Sequence, residues 1–169
     1  MRALVVYESM YGNTRAVAEA VADGLAAAGE VAVRPVHDAG DASGCDLLVV
    51  GGPTHMHGLT TSHSRKMSVA GAHEDGTGVE PGTTEAPGLR EWLRHLGAEP
   101  KAAAAFDTRL DRNAALTGSA ARGIARRLRR HGRRIVDTES FLVADAEGPL
   151  EGGELERARA WGRRLAAGS

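Results

Sequence analysis

Residues 3–25 read ALVVYESMYGNTRAVAEAVADGL, and three patterns follow one another in that short span. The run RALVVY at 2–7 is continuously aliphatic and β-branched, as expected of a strand covered on both faces. Polar residues and a glycine break it at ESMYGN. Beyond the break, Val17, Ala20, Val21 and Leu25 recur at helical spacing, with Asn13 or Thr14 able to cap the start and Gly29 placed to stop the helix. A strand, a tight turn and a helix in immediate succession open a βαβ unit, which implies a parallel sheet.

The alternation continues outward. VAVRPV (31–36) reads as a second strand, and Pro35, which cannot donate to a ladder, places it at an edge. DLLVVG (46–51) is a third buried strand, ending in GGPTHMHG. GLREWLRHLG predicts a helix with Leu89, Trp92, Leu93 and Leu96 on one face. KAAAAF leads into a fourth strand, followed by a loop that starts at Asp107 (DTRLDRNAALTG). SAARGIARRLRRHG is a helix, RIVDTESFLVAD holds a fifth strand with a break at Thr138–Ser140, and ELERARAWGRRLAAG closes as a helix. This order predicts an α/β fold with a five-stranded, parallel, doubly wound sheet in the order 2-1-3-4-5. One domain is expected over 1–169, with a mobile loop insertion at about 60–87, where no period is visible and Gly, Thr and Pro are frequent.

Composition sets outer limits. Of 169 residues, 42% are hydrophobic and 25% charged, which excludes wholesale disorder and a fibrous repeat. No apolar run approaches the roughly 20 residues of a membrane span. The N-terminal run, broken at Glu8, is too short for a secretory core, and the single Cys45 cannot form an internal disulfide; cytoplasmic residence is the expectation. Net charge is −1, yet residues 1–100 hold 7 basic and 13 acidic side chains while 101–169 hold 14 and 9.

In the order 2-1-3-4-5 the winding reverses between the first and third strands, so ligands bind beyond their C-terminal ends, at Glu8–Thr14 and Gly51–Gly58. In the first loop, Ser9, Asn13 and Thr14 carry side chains able to donate to phosphate oxygens. Gly12 lets the backbone approach, and the helix N-terminus adds partial positive charge. No lysine follows, which excludes a triphosphate-binding P-loop. The plainer alternative is that these residues merely cap a helix and turn the chain.

These residues resemble the flavodoxin family. ESMYGNT is similar to that family's phosphate-binding loop for flavin mononucleotide (FMN), GGPTHMHG resembles its second loop, and DTRLDRN stands where its third would be. The resemblance implies a flavodoxin-like three-layer sandwich, an FMN cofactor and low-potential electron transfer between a reductase and an acceptor. It implies that Ser9, Met10, Tyr11, Gly12, Asn13 and Thr14 hold the phosphate. Pro53, Thr54, His55, Met56 and His57 would line one side of the flavin ring, and Asp107, Thr108, Arg109 and Leu110 the other. Three departures stand out. The second and third loops hold no aromatic other than histidine, Arg109 and Arg112 place cations in the third, and net charge is near zero where flavodoxins tend to be acidic. SMYGNT also resembles the first loop of flavodoxin-like quinone reductases, so an FMN-dependent NAD(P)H:quinone oxidoreductase is the alternative, followed by a flavin-free partner-binding module.

Elsewhere, His55-x-His57 with His63, His73, Glu74 and Asp75 offers metal-ligand types without ligand spacing, and no metal is expected. Between Thr117 and Arg134 lie seven arginines and no acid. With Ile124 and Leu128 inward, a helix there presents Arg122, Arg126, Arg129, Arg130 and Arg133 outward. This Arg-rich face, 122–134, is either a solvated surface or a docking face for an acidic redox partner protein. Nucleic acid is not expected, because neither a recognition fold nor interleaved aromatics accompany the charge. Trp92 and Trp161 sit among leucines at core spacing, and Cys45 has no cation nearby in sequence.

Overall fold

Alternating side chains along each buried strand feed two separate cores. Val5, Tyr7, Leu47, Val49 and Phe106 project to one side of the sheet, and Val6, Leu48, Val50, Ala103 and Ala105 to the other. A sheet apolar on both faces must be covered twice, and helices do so here. A computed structural model of the protein describes residues 1–55, 58–59, 88–99, 101–111, 118–145 and 148–168. The expected insertion at 60–87 lies outside the described residues.

The strands are β1 (Arg2–Tyr7), β2 (Glu30–Pro35), β3 (Leu47–His55), β4 (Gly58–Leu59), β5 (Ala102–Leu110) and β6 (Arg134–Val143). The helices are α1 (Asn13–Leu25), α2 (Leu89–His95), α3 (Ala120–Arg130) and α4 (Glu154–Gly168). Neighbours in the sheet run β2-β1-β3-β5-β6, all parallel, which is the order 2-1-3-4-5 among the parallel strands. Two-residue β4 folds back antiparallel on the end of β3. The strand with Pro35 is at an edge, as expected.

The α1/α4 side carries the heavier core. Phe106, Phe141 and Trp161 meet edge-to-face with centroids 6.0–6.1 Å apart, a geometry favoured by the ring quadrupole. Phe106 lies over β3 at Gly51, where an added Cβ would run into its ring. At Gly24 and Gly162 the two helices cross so closely that a Cβ on either would strike the other's backbone. On the opposite side Leu89, Trp92 and Leu93 of α2 and Ile124 and Leu128 of α3 pack against the sheet.

Two local expectations need correction. The fifth strand does not break at Thr138–Ser140; it runs continuously, and its irregularity lies at Val136, where the register with β5 slips between Ala103 and Ala104. DTES is polar because β6 is an edge strand: Asp137 accepts from Trp161 Nε1 at 2.8 Å, and Glu139 pairs with Arg157 at 3.0 Å. Nor does the fourth strand stop before Asp107. It continues through Leu110, paired with β6 along its length and with β3 as far as Thr108.

Candidate functional site

The turn after β1 determines the shape of the site. Gly12 adopts φ 87°, a left-handed conformation that costs a side-chain-bearing residue energy, and it is the N-cap of α1 with no side-chain cap. Its N–H donates to Ser9 Oγ at 3.1 Å, and its carbonyl accepts from Ala16 N at 2.9 Å. The amides of Asn13 and Thr14 then have no carbonyl one turn back within the helix, so the end of α1 presents N–H groups with the positive end of its dipole.

The expected side-chain cap is absent because both candidates are engaged elsewhere. Asn13 Nδ2 donates to the Gly148 carbonyl at 2.6 Å, tying the loop to the segment after β6. Thr14 Oγ1 lies 2.8 Å from Thr108 Oγ1 in a buried hydroxyl pair that joins the start of α1 to the end of β5. The turn is therefore braced from β5 and from the segment after β6, and held open by Gly12.

Beside it lies a small cleft of about 80 Å³, open to solvent. Its walls bring together residues far apart in sequence. Ser9, Met10, Tyr11, Asn13 and Thr14 come from the β1–α1 turn; Pro53 and Thr54 from the end of β3; Thr108, Arg109 and Leu110 from the end of β5; and Val143 from the end of β6. Arg109 is the one charged side chain among the described lining residues, and Tyr11 the one aromatic.

Asp107 is placed differently from its neighbours in the motif. It is fully buried beside the cleft wall, and its Oδ2 accepts from Thr54 Oγ1 at 2.9 Å, Ser119 Oγ at 2.7 Å and the Ala121 amide at 2.9 Å. Thr54 Oγ1 in turn accepts from the Ala120 amide at 2.9 Å. Together they cap α3 and fix its start to the ends of β3 and β5. His55 is the last residue of β3; Met56 and His57 lie outside the described residues, as does Arg112.

Sequence reading did not anticipate Val143, the Gly148 carbonyl, or the role of Glu8. Glu8 is buried and its Oε2 accepts from the Leu89 amide at 2.6 Å, capping α2 from the loop that also shapes the cleft. The position of Val143 at the C-terminal end of a parallel strand was the available signal for it.

The family model described as flavodoxin matches residues 5–100. The chain belongs to the flavodoxin family. No curated protein matches it in sequence. Solved flavodoxins share its fold across their full lengths. A short-chain flavodoxin associated with a non-canonical PDU bacterial microcompartment superposes with a TM-score of 0.68 at 16% identity, over 99% of this chain and 98% of that one. Flavodoxin 2 from Bacillus cereus in the oxidised form gives 0.66 at 18% identity over 100% of both chains. The flavodoxin of Streptococcus pneumonia TIGR4 gives 0.65 at 20%, again over 100% of both.

Trp92 and Trp161 are core residues. Arg122, Arg126, Arg129 and Arg130 are exposed, but Arg133 is not: its side chain is 1% accessible and lies 3.5 Å from Glu99. The helix ends at Arg130, and the turn at Gly132 (φ 76°) carries Arg133 back toward the sheet instead of along the helical face. That guanidinium is the cation near Cys45 which sequence adjacency hid. Burial nonetheless dominates and pushes the thiol's pKa up, with Arg133 pulling against it, so Cys45 is a buried thiol that donates to the Ala42 carbonyl. Among the described residues no cluster of metal-ligating side chains occurs and no helix is long and apolar enough to cross a membrane. His57, His63, His73, Glu74 and Asp75 lie outside them.

Proposed function

We propose that the protein is an FMN-binding electron carrier of the flavodoxin type, passing electrons between a reductase and an acceptor. The observation that carries this reading is the convergence of the β1–α1 turn and the ends of β3 and β5 on one cleft, at the open N-terminus of α1. The described walls carry no carboxylate that would repel a phosphoryl group, and the first-turn amides suit an anion. FMN would bring the redox chemistry; the protein's part is to hold and tune it. The turn at Gly12, Asn13 and Thr14 would hold the phosphate. Met10, Pro53, Leu110 and Val143 would exclude water from the ring, and Arg109 would supply a fixed positive charge favouring the reduced, anionic form and so raising the potential.

The scarcity of aromatics among the described lining residues favours a second reading for the same site, an FMN-dependent NAD(P)H:quinone oxidoreductase with room for a substrate ring. Consumption of NAD(P)H with a quinone by the purified protein alone would select it.

Titration with FMN and with riboflavin tests the site on the unaltered protein. Binding is read from the change in the flavin's own visible absorbance. FMN is expected to bind at least about tenfold tighter than riboflavin, since charge-assisted bonds to phosphate contribute on the order of 1.5–3 kcal/mol. Asn13→Asp should weaken FMN by at least about tenfold, a loss of roughly 1.4 kcal/mol or more, and weaken riboflavin by less, since only FMN carries the phosphate. Equal affinity for the two flavins would remove the phosphate site from this turn.

A further inference from the structure

We propose that the outer faces of α2 and α3 form a docking surface for an acidic electron-transfer protein, one whose contact face presents clustered carboxylates. The acidic surface is the partner's chemistry in this proposal; that the partner is a redox protein rests on the function proposed above.

Arg94 on α2 and Arg122, Arg126, Arg129 and Arg130 on α3 are all exposed, and no carboxylate among the described residues pairs with any of them. They act as one field. Arg127, half-buried between the two helices with Nη1 donating to the Gly123 carbonyl at 3.0 Å, has its pKa lowered first by burial and then by Arg90, Arg130, Arg126 and Arg94. Cations from both helices therefore converge on one region and repel one another there.

The helix dipole accounts for part of the pattern only. It favours cations in the last turns, where Arg94, Arg129 and Arg130 sit. It disfavours Arg122, whose amide bonds to the N-cap Ser119 in the first turn, and it is neutral toward Arg126 at mid-helix. All five are arginine, whose planar fork matches carboxylates in pairs. The cleft is adjacent. The amides of Ala120 and Ala121, at the start of α3, bond Thr54 in the cleft wall and Asp107 behind it, and the helix descends from there at about 1.5 Å per residue. A partner seated on Arg122 and Arg126 thus covers the flank of that wall, near enough for its own redox centre to face the site. An acidic protein is favoured over nucleic acid because no exposed aromatic among the described residues accompanies the arginines; Trp92 of α2 is buried.

The test measures association of the full chain, without flavin, with three immobilised probes: an acidic plant-type ferredoxin, a basic cytochrome c and duplex DNA. Because flavin is absent, the result stands or falls separately from the FMN titration. Ferredoxin should bind at low salt and lose at least about tenfold in affinity as the ionic strength is raised several-fold, with cytochrome c and DNA binding less tightly. The double variant Arg94→Glu/Arg126→Glu should abolish ferredoxin binding and create binding to cytochrome c. The carboxylate introduced by Arg126→Glu would lie four residues from both Arg122 and Arg130, so the helix is supported and loss of folding does not explain the result. Arg159→Glu/Arg163→Glu, on α4, should leave ferredoxin binding within about twofold of the unaltered chain. Retention of ferredoxin binding by the α2/α3 variant, tighter binding of cytochrome c by the unaltered chain, or DNA binding as tight as ferredoxin would each overturn the proposal.

Discussion

The two helical layers of the sandwich use arginine in opposite ways. On the α1/α4 side nearly every described arginine has a carboxylate: Arg15 meets Glu19 at 2.8 Å, Arg157 meets Glu139 and Glu154, Arg159 meets Asp23 and Glu156, and Arg163 and Arg164 meet Glu156 and Glu139. On the α2/α3 side five exposed arginines have none among the described residues. The first layer also holds the aromatic trio and the glycine crossing. One layer is closed, in both charge and packing; the other is left electrostatically open. Residue type alone says nothing about function, and it is the pairing that separates a structural arginine from one still available to a partner.

The largest expected effect contrasts the cores. Trp161 is fully buried, touches both Phe106 and Phe141, and donates to Asp137. Trp92 on the open side is buried but lacks ring neighbours among the described residues, and donates to the Gly40 carbonyl at 2.6 Å. Trp161→Ala should cost about 4–5 kcal/mol in urea denaturation and Trp92→Ala about 3 kcal/mol. The difference comes from two edge-to-face contacts on the order of 0.5–1.5 kcal/mol each. Gly162→Ala comes next. Its new Cβ would be pressed into the Val21 carbonyl and the Cα of Gly24, and overpacking of this kind costs about 1–3 kcal/mol. Equal costs for the two tryptophans would contradict the picture of one tightly closed layer.

How much of this was legible in the sequence depended on how local the physics is. RALVVY, the turn at ESMYGN and the spacing from Val17 to Leu25 are local patterns, and they placed β1, α1 and the switch point. The ends of the cleft were harder. Asp107–Leu110 reads as a polar loop, yet pairing on both sides holds it as strand, and pairing between distant segments leaves no local mark. The same limit applies to Asp107, whose capping of α3 through Ser119 and Ala121 leaves no mark in the local sequence. Helical periodicity puts Arg133 on the exposed face only if the helix continues, and the turn at Gly132 ends it first. Glu8 is an ordinary acid in the chain; only the approach of Leu89, 81 residues away, reveals its capping role.

A pH experiment sharpens the contrast at the start of α4. Burial opposes the charge of Glu154, but the Arg157 hydrogen bond, the Leu142 amide at 2.7 Å and the Arg157 charge more than offset it, and the carboxyl titrates below its usual range. With the folded value depressed, the stability Glu154 adds is fully present above its unfolded pKa of about 4.3 and is lost as pH falls through the folded value. Stability should therefore decline on acidification below about pH 4.3, and Glu154→Gln should flatten that limb. Arg94, Arg122, Arg126, Arg129 and Arg130 lack carboxylate partners among the described residues, so a variant there, such as Arg126→Gln, should leave the acid limb unchanged. An identical acid limb in Glu154→Gln would mean that this network is not what acid dismantles.

The smallest effect is the most discriminating, because it predicts opposite signs for the same substitution on the two layers. Arg126 has arginines four residues away on either side and no acid, so Arg126→Gln removes two like-charge contacts and should stabilise by roughly 0.4–1 kcal/mol at low salt. Arg159 pairs with Asp23 and Glu156, each at 3.5 Å on an exposed surface. Arg159→Gln should therefore destabilise by about 0.2–1 kcal/mol. Both shifts should shrink as salt is added, since exposed charges are screened. Thermal midpoints measured across ionic strength would check the signs. If Arg126→Gln also destabilised at low salt, the open layer would be making favourable contacts of its own, and the charge argument for the proposed docking face would fail.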